Sequence, residues 1–217
     1  MGNLMKKVLL IFFIIFTIIE AQVKIDYGVK FGFTLSDLTY TEIKSFPMID
    51  FEEYFDGNSI NPSIGVFVNF RLTDNLILEN DFSYTIKGSR KTENINYSSY
   101  DNPEGPYNKS KQTSEYSTHN LELGLNLKPI VKIGDVPYYA ILGVSLNYNV
   151  LTTFVIQDRV TELMGSYRLG LGVYFEELLN IPLFVELKFS NDFSNYYSSD
   201  YYKLTNRVFS FTTGLCF

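Results

Sequence analysis

The chain has 217 residues, of which 46% are hydrophobic and 17% aromatic, and its formal net charge is −6 at pH 7. This length fits a single domain, and a negative chain without a basic cluster argues against nucleic acid as a partner. The one cysteine, Cys216, excludes an internal disulfide and a cysteine-rich metal site, and no lipoprotein cysteine follows the N-terminal segment.

The first 21 residues have the pattern of a secretory signal peptide. Two lysines precede the apolar run 8–19, which is short for a transmembrane helix. We expect cleavage after Ala21, which leaves residues 22–217 as the mature domain; an uncleaved anchor helix is the alternative. No later apolar run approaches the roughly 18 residues of a membrane helix, so a membrane crossing has to use strands.

The mature chain opens on residues 23–35, in which every odd position is apolar and every even position is charged, polar or glycine. Because successive side chains of a strand point to opposite faces, this is a long strand with two chemically opposite faces. The same alternation recurs seven times. The later predicted strands are 64–72, 76–86, 121–129, 138–148, 167–175, 183–189 and 209–217.

The connections between these strands alternate between long and short. The long ones cover 36–63, 88–118, 149–166 and 190–207, and the short ones cover 73–75, 130–136 and 176–182. Long extracellular loops and short periplasmic turns are typical of outer-membrane barrels. The sequence therefore predicts an all-β fold, an eight-stranded antiparallel up-and-down transmembrane β-barrel with both termini on the periplasmic side. The longest predicted loop, 88–118, is polar and has no periodicity.

The alternation alone does not say which face points inward, since a soluble lipocalin-like barrel has the same period. The apolar faces contain no Asp, Glu, Lys or Arg, as the cost of charge against lipid requires. Their bulky side chains would also overcrowd an eight-stranded interior. The opposite face carries the small residues Gly28, Gly32, Gly65, Gly124, Gly143, Gly170, Gly172 and Gly214. We therefore expect the polar face to line the lumen and the outward aromatic residues to face the membrane.

The predicted lumen carries charges of both signs. Its members are Lys24, Asp26, Lys30, Arg71, Glu79, Asp81, Glu122, Lys128, Arg168, Glu186 and Lys188. Since buried charge has to be paired, we interpret them as a salt-bridged, closed core. An ion path, or a catalytic carboxylate pair at Glu79 and Asp81, is the alternative. Phe67, Tyr139 and Phe184 are expected to narrow the lumen further.

Other residues carry weaker signals. His119 is the only histidine, and Ser117 and Glu115 are in phase with it, which is the residue set of a lipid-modifying barrel enzyme; an interfacial aromatic role is favoured. Cys216 is expected to be a buried, inert thiol. We thus predict no catalytic, cofactor or metal site. The tyrosine-rich loops are candidates for binding a ligand at the cell surface.

Four segments resemble the outer-membrane β-barrel domain proteins of Bacteroidota, often described as porin-like or PorT-like. They are AQVKIDYGVKFGFTLSDL, HNLELGLNLKP, PYYAILGVSLNYNV and the closing FSFTTGLCF. The resemblance covers nearly the whole mature chain and implies a location in the cell outer membrane. It also implies that Phe217 is the signal read by the barrel-assembly machinery. Because its motifs are architectural, it transfers no active site and no cofactor.

From these observations we expect a non-enzymatic barrel, a monomer in contact with outer-membrane lipid and lipopolysaccharide, with a structural or surface-binding role. Three alternatives stay open: a narrow channel, an accessory of a protein secretion system, as the PorT-like resemblance implies, and a lipid A-modifying enzyme. The sequence identifies neither an extracellular ligand nor a secretion-system partner.

Overall fold

The computed structural model describes residues 24–42, 57–97, 108–153, 161–175, 182–193, 195, 197–198 and 202–217. The predicted signal peptide, residues 1–21, lies outside them. The described residues form nine β-strands: β1 Lys24–Glu42, β2 Gly57–Thr73, β3 Leu76–Tyr97, β4 Asn108–Ile133, β5 Val136–Thr152, β6 Leu163–Tyr174, β7 Leu183–Asp192, β8 Tyr197–Ser198 and β9 Tyr202–Cys216. No helix among them has the length and apolarity needed to cross a membrane.

Eight of these strands close into an antiparallel barrel. The order is β1-β2-β3-β4-β5-β6-β7-β9, and β1 pairs with β9 to close the ring. This last pairing runs from Gly28 opposite Cys216 to Glu42 opposite Tyr202. The two-residue β8 pairs with β9 outside the ring. The predicted eight-stranded barrel, closed by its first and last strands, is thus confirmed.

Burial alternates along the strands as the orientation argument requires. In β1, Ile25 and Phe31 on the outer face are 56% and 55% exposed, whereas Asp26 and Lys30 on the inner face are 6% and 3% exposed. The polar face therefore lines the lumen, and the large apolar side chains form the outer surface. A water-soluble barrel would show the opposite arrangement.

The strands extend well beyond the predicted ones at one end of the barrel. β3 and β4 have 22 and 26 residues and stay paired up to Tyr97 opposite Asn108. Most of the predicted loop 88–118 is therefore a paired hairpin, and only residues 98–107 lie outside the described chain. The prediction was wrong because apolar alternation marks contact with lipid, whereas backbone pairing continues where both faces meet water.

The other predicted boundaries shift for the same reason. Residues 36–42 and 57–63 belong to β1 and β2, and β9 begins at Tyr202 instead of Phe209. At the opposite end of the barrel, the predicted connection 130–136 is mostly strand and contains a tight turn at Gly134 and Asp135. Gly134 has a φ of 64°, which a residue without a Cβ adopts at no steric cost.

Two lumen glycines show why small residues are needed on the inner face. A Cβ on Gly32 would lie 2.1 Å from the carbonyl oxygen of Phe211 on the closing strand. A Cβ on Gly172 would lie 2.3 Å from the Tyr139 ring. At both positions a larger residue would displace backbone or a packed ring, so the narrow barrel depends on them.

Candidate functional site: the ion-paired lumen

Arg168 on β6 is the centre of the charged lumen. Its Nη1 lies 2.9 Å from Asp81 Oδ1, and its Nη2 lies 2.6 Å from Glu122 Oε2. Lys30 from β1 contacts the same Asp81 carboxylate from the other side. One guanidinium thus links two carboxylates on neighbouring strands, in the fork geometry for which arginine is suited.

A second cluster lies on the side of the network toward the Thr73–Leu76 turn, where β3 carries Glu79 and β4 carries Lys128. Lys128 contacts Glu79 and lies 2.6 Å from Glu186 Oε1. Lys188 Nζ is 3.2 Å from the other oxygen of Glu186, and the Tyr139 hydroxyl donates to Glu186 Oε1 at 3.0 Å. All five groups are buried or nearly so, and the pairing is what makes their burial tolerable.

The remaining predicted members lie at the mouth of the barrel near the Thr73–Leu76 turn. Asp26 is buried and contacts Arg71. Lys24 Nζ is 3.8 Å from Asp26, and the Lys24 side chain is 74% exposed. The structure therefore brings the predicted lumen residues into a central network and a small mouth cluster, and Lys24 is the member in open contact with solvent.

Sequence analysis missed one member of the network, Lys87. Its Nζ lies 2.7 Å from Glu122 Oε1, and the Thr85 hydroxyl donates to the same oxygen at 2.8 Å. The predicted strand ended at Ile86, one residue before Lys87, whereas β3 continues to Tyr97. The signal that would have found Lys87 is its phase, since it follows Glu79 and Asp81 on the same face of the strand.

Aromatic side chains close the lumen beside these charges. Phe67 and Phe184 meet edge to face with ring centroids 5.3 Å apart, and Tyr139 packs on Tyr174 at 4.6 Å. The Lys128 ammonium lies 5.0 Å from the Tyr139 ring centroid, within cation–π range. Ile77, Ile130 and Ile141 complete this layer with Tyr139. We call this layer, Phe67, Ile77, Ile130, Tyr139, Ile141, Tyr174 and Phe184, the aromatic floor.

The lumen on the other side of the charged network is lined by amides and hydroxyls. Asn120, Asn147, Ser166 and Asn206 are at most 1% exposed. A cavity of about 40 Å³ borders the charged network. It exceeds the ~10–15 Å³ that one water needs but holds only a few waters. Arg168, Lys30, Lys87, Lys188, Asp81 and Glu122 contribute to its wall.

The pairing of the barrel wall beside this cavity is irregular between β2 and β3. Their pairing shifts between Asn58 and Ser63, so that residues 59–62 of β2 are out of register with 86–88 of β3. Two side chains of β1 form hydrogen bonds with the β3 backbone in this region. Thr34 Oγ1 donates to the Ile86 carbonyl at 2.9 Å, and Ser36 Oγ accepts from the Gly88 N–H at 2.7 Å. We call this region the β2–β3 gap.

The predicted enzyme residues each have a different partner. The Nδ1 atom of His119 hydrogen-bonds to the Tyr84 hydroxyl, and Glu115 lies 2.7 Å from Arg90 Nε. The Ser117 N–H donates to Thr153 Oγ1 at 2.8 Å. Among the hydrogen bonds and ion pairs of the described residues, none joins Ser117 or Glu115 to His119.

Two further observations concern possible chemistry, one on the cysteine and one on metal ligands. Cys216 is a half-buried cysteine, and Asn69 Nδ2 lies 3.9 Å from its sulfur. Within the part of the chain that the structure describes, no group of three or more His, Cys, Asp or Glu side chains has the arrangement of a metal site.

Comparison with known proteins identifies the family. The model of the outer membrane protein beta-barrel domain matches residues 20–208. The chain belongs to this family. It is therefore an outer-membrane β-barrel protein. The match does not distinguish a Bacteroidota origin or a PorT-like subgroup, and both stay predictions. No curated protein matches this member of the family.

Solved outer-membrane barrels are similar to this family member in fold. OprG from Pseudomonas aeruginosa has 13% identity and a TM-score of 0.48, over 88% of this chain and 95% of that one. The protease OmpT from Escherichia coli has 9% identity and a TM-score of 0.47, over 90% and 98%. Neisserial surface protein A has 10% identity and a TM-score of 0.44, over 89% and 98%. The activity named for any of these proteins applies to that protein, and the likeness to this chain concerns the fold alone.

Proposed function

We propose that this barrel is a closed, non-enzymatic outer-membrane protein that acts at the cell surface through the strands and loops beyond the lipid. The observation that carries the proposal is the filled lumen. The aromatic floor and the ion-paired network lie one above the other, and the cavity beside them has room for only a few waters.

The extended strands support a role at the surface. β3 and β4 remain paired for many residues past Tyr84 and Leu121, where the outer face loses its apolar pattern. This hairpin is rich in Ser, Thr, Asn and Tyr, which are residue types that suit adaptable contacts. Because the backbone of this hairpin is already paired, binding through it would cost less entropy than binding through an unpaired loop.

Single-channel recording in planar bilayers tests the closed lumen. We expect no stable openings from the unmodified protein. The double variant Phe67→Ala, Phe184→Ala removes two rings of the aromatic floor and serves as the matched positive control for a weakened lumen. Stable openings of the unmodified protein would favour the narrow channel instead.

A shortened hairpin tests the role at the surface. Replacing residues 91–114 by an Asn-Gly turn joins two paired strand positions, and the shortened barrel should keep its heat-modifiable migration on gels. We expect cells that carry the full-length protein to bind at least one glycan or matrix protein on an array, and cells with the shortened protein to lose that binding. Equal binding by both would contradict the proposal.

Mass spectrometry of lipid A tests the non-enzymatic assignment. We expect the same lipid A species with and without the protein, and no effect of His119→Ala. A species that depends on both the protein and His119 would establish the lipid-modifying alternative. Loss of a secreted protein on deletion of the gene would instead favour the secretion accessory.

We also infer how the protein reaches its membrane. A signal peptide of residues 1–21 would direct export, and the barrel-assembly machinery would read Phe217 before the monomer contacts lipid and lipopolysaccharide. Phe217 is 60% exposed, and its N–H donates to the Tyr27 carbonyl at 2.7 Å. N-terminal sequencing of the mature protein should begin at Gln22.

A further inference from the structure

We propose that the lumen cavity binds a small oxyanion, a phosphate or carboxylate group, on Lys188 and its neighbours. This site is independent of the surface role proposed above. The inference rests on a charge imbalance, on the position and lining of the cavity, and on the wall that borders it.

The central network holds more positive than negative charge. Each carboxylate of the network contacts two cations. Among the described residues, the ion pairs of the network join five cations, Lys30, Lys87, Lys128, Arg168 and Lys188, to four carboxylates, Glu79, Asp81, Glu122 and Glu186. Asp192, another buried carboxylate, accepts from Asn206 Nδ2 at 3.0 Å and also interacts electrostatically with Lys87. It is not part of the cavity wall, so the excess of positive charge lies in that wall, where four of the cations meet only Asp81 and Glu122. An unbalanced buried charge is costly, and an anion would remove the cost.

Lys188 is the cation with the weakest pairing. Its nearest carboxylate oxygen is 3.2 Å away, a longer distance than the nearest one of Lys87 or Arg168. Its side chain is also 10% exposed, against 5% or less for the other four cations. Lys188 lines the cavity, so its ammonium is the group most available to an added anion.

The rest of the cavity wall supplies hydrogen-bond donors. Arg168, Lys30 and Lys87 border it together with Lys188, and the hydroxyl residues Ser83 and Thr212 are also in the wall. Ammonium, guanidinium and hydroxyl donors around one space suit an oxyanion, because donors bearing charge make the strongest hydrogen bonds to it. The two carboxylates in the wall, Asp81 and Glu122, are held by their cations.

The position of the cavity allows two sources for the anion. Ile64 is 63% exposed on the outer face and also lines the cavity. It adjoins the β2–β3 gap, where the pairing of the wall is interrupted. The oxyanion is therefore either a free ion that enters from the lumen or the headgroup of an anionic lipid that enters at this gap.

Phosphate titration of the folded protein in zwitterionic detergent tests the site. Sodium phosphate replaces sodium gluconate at constant ionic strength, and NMR follows the Arg168 side chain and the backbone amides near Lys188. We expect a saturable shift, and at least a tenfold loss of affinity in Lys188→Gln. The exposed Lys24→Gln is the matched control and should bind phosphate as the unmodified protein does.

The stability of Lys188→Gln separates binding from a purely structural role. Because the substitution removes the excess charge, we expect the variant without phosphate to be at least as resistant to urea as the unmodified protein. A lower urea midpoint together with unchanged phosphate binding would overturn the proposal. A phosphate response that does not saturate, or that Lys24→Gln weakens equally, would also overturn it.

A comparison of two probes identifies the source. Lysophosphatidic acid is added to the micelles in place of inorganic phosphate. Tighter binding of the lipid by tenfold or more supports a headgroup that enters at the β2–β3 gap, whereas equal affinities support a free anion. Shifts confined to residues outside the cavity with both probes would contradict the site.

Discussion

The two halves of the lumen pair their buried polar groups in different ways. The half next to the aromatic floor uses full charges, which Arg168 and Lys128 hold in a shared network. The half toward the long β3–β4 hairpin uses mainly neutral groups, such as the Ser145 and Ser166 hydroxyls 2.6 Å apart and the Asn147 amide that donates to Ser166. Its buried carboxylate, Asp192, accepts from the Asn206 amide. Both halves pair polar groups with one another inside a barrel that faces lipid, with exceptions among the described residues such as Asn120 Oδ1 and Asn126 Oδ1, which have no hydrogen-bond partner.

This difference predicts how much the stability of each half depends on a single side chain. Removing one member of a charged network leaves an unpaired buried charge, which costs more than the network contributes as a whole. Removing a hydroxyl leaves a neutral group that a water can serve, and the cavity lies nearby. We therefore expect single substitutions to lower the free energy of unfolding strongly in the charged half and only slightly in the neutral half.

The strongest test of this contrast is Arg168→Leu. Both Asp81 and Glu122 would lose their shared guanidinium, and we expect the free energy of unfolding to fall by about 3–5 kcal/mol. Urea unfolding in detergent, followed by heat-modifiable gel migration, measures it. Arg90→Leu is the matched control: its pair with Glu115 has side chains 50% and 59% exposed, and we expect a loss of at most about 1 kcal/mol. Equal losses would refute the contrast.

A smaller effect is expected from Gly172→Ala beside the aromatic floor. The new methyl group would push the Tyr139 ring, whose hydroxyl donates to Glu186. Overpacking of this kind costs about 1–3 kcal/mol. The same urea assay applies, with Gly134→Asn as the control, because nothing lies within 4 Å of a Cβ at Gly134 and asparagine tolerates its backbone conformation. A neutral Gly172→Ala would show that the floor can rearrange.

The smallest effect is expected in the neutral half, from Ser36→Ala. The Gly88 N–H and carbonyl would both lose the Ser36 hydroxyl, which now meets them at 2.7 and 3.0 Å. We expect a loss of about 1 kcal/mol and faster hydrogen exchange of the Gly88 amide. The exposed turn variant Thr73→Ala serves as the control and should leave that exchange rate unchanged. A loss of unfolding free energy as large as that of Arg168→Leu would mean that the neutral half is equally sensitive to single substitutions.

Particular residues show how far sequence analysis reached. The faces of β1 were predictable, because Lys30 and Phe31 belong to a strict period of two that is a local property of a strand. Lys87 was missed although it has the right phase, because the apolar pattern on the outer face ends near Ile86. The bridge from Arg168 to Asp81 spans 87 positions in the chain, and no local pattern contains it.

The sequence by itself determined the strands within the membrane, the side of each strand that faces lipid, and the charges that enter the lumen. Each of these follows from the alternation of neighbouring residues and from the cost of charge against lipid. Only the tertiary structure decided which charges pair, how far the hairpins continue past the lipid, and where the β2–β3 gap opens. Pairing across a barrel depends on the stagger of all its strands, which closure of the ring sets as a whole.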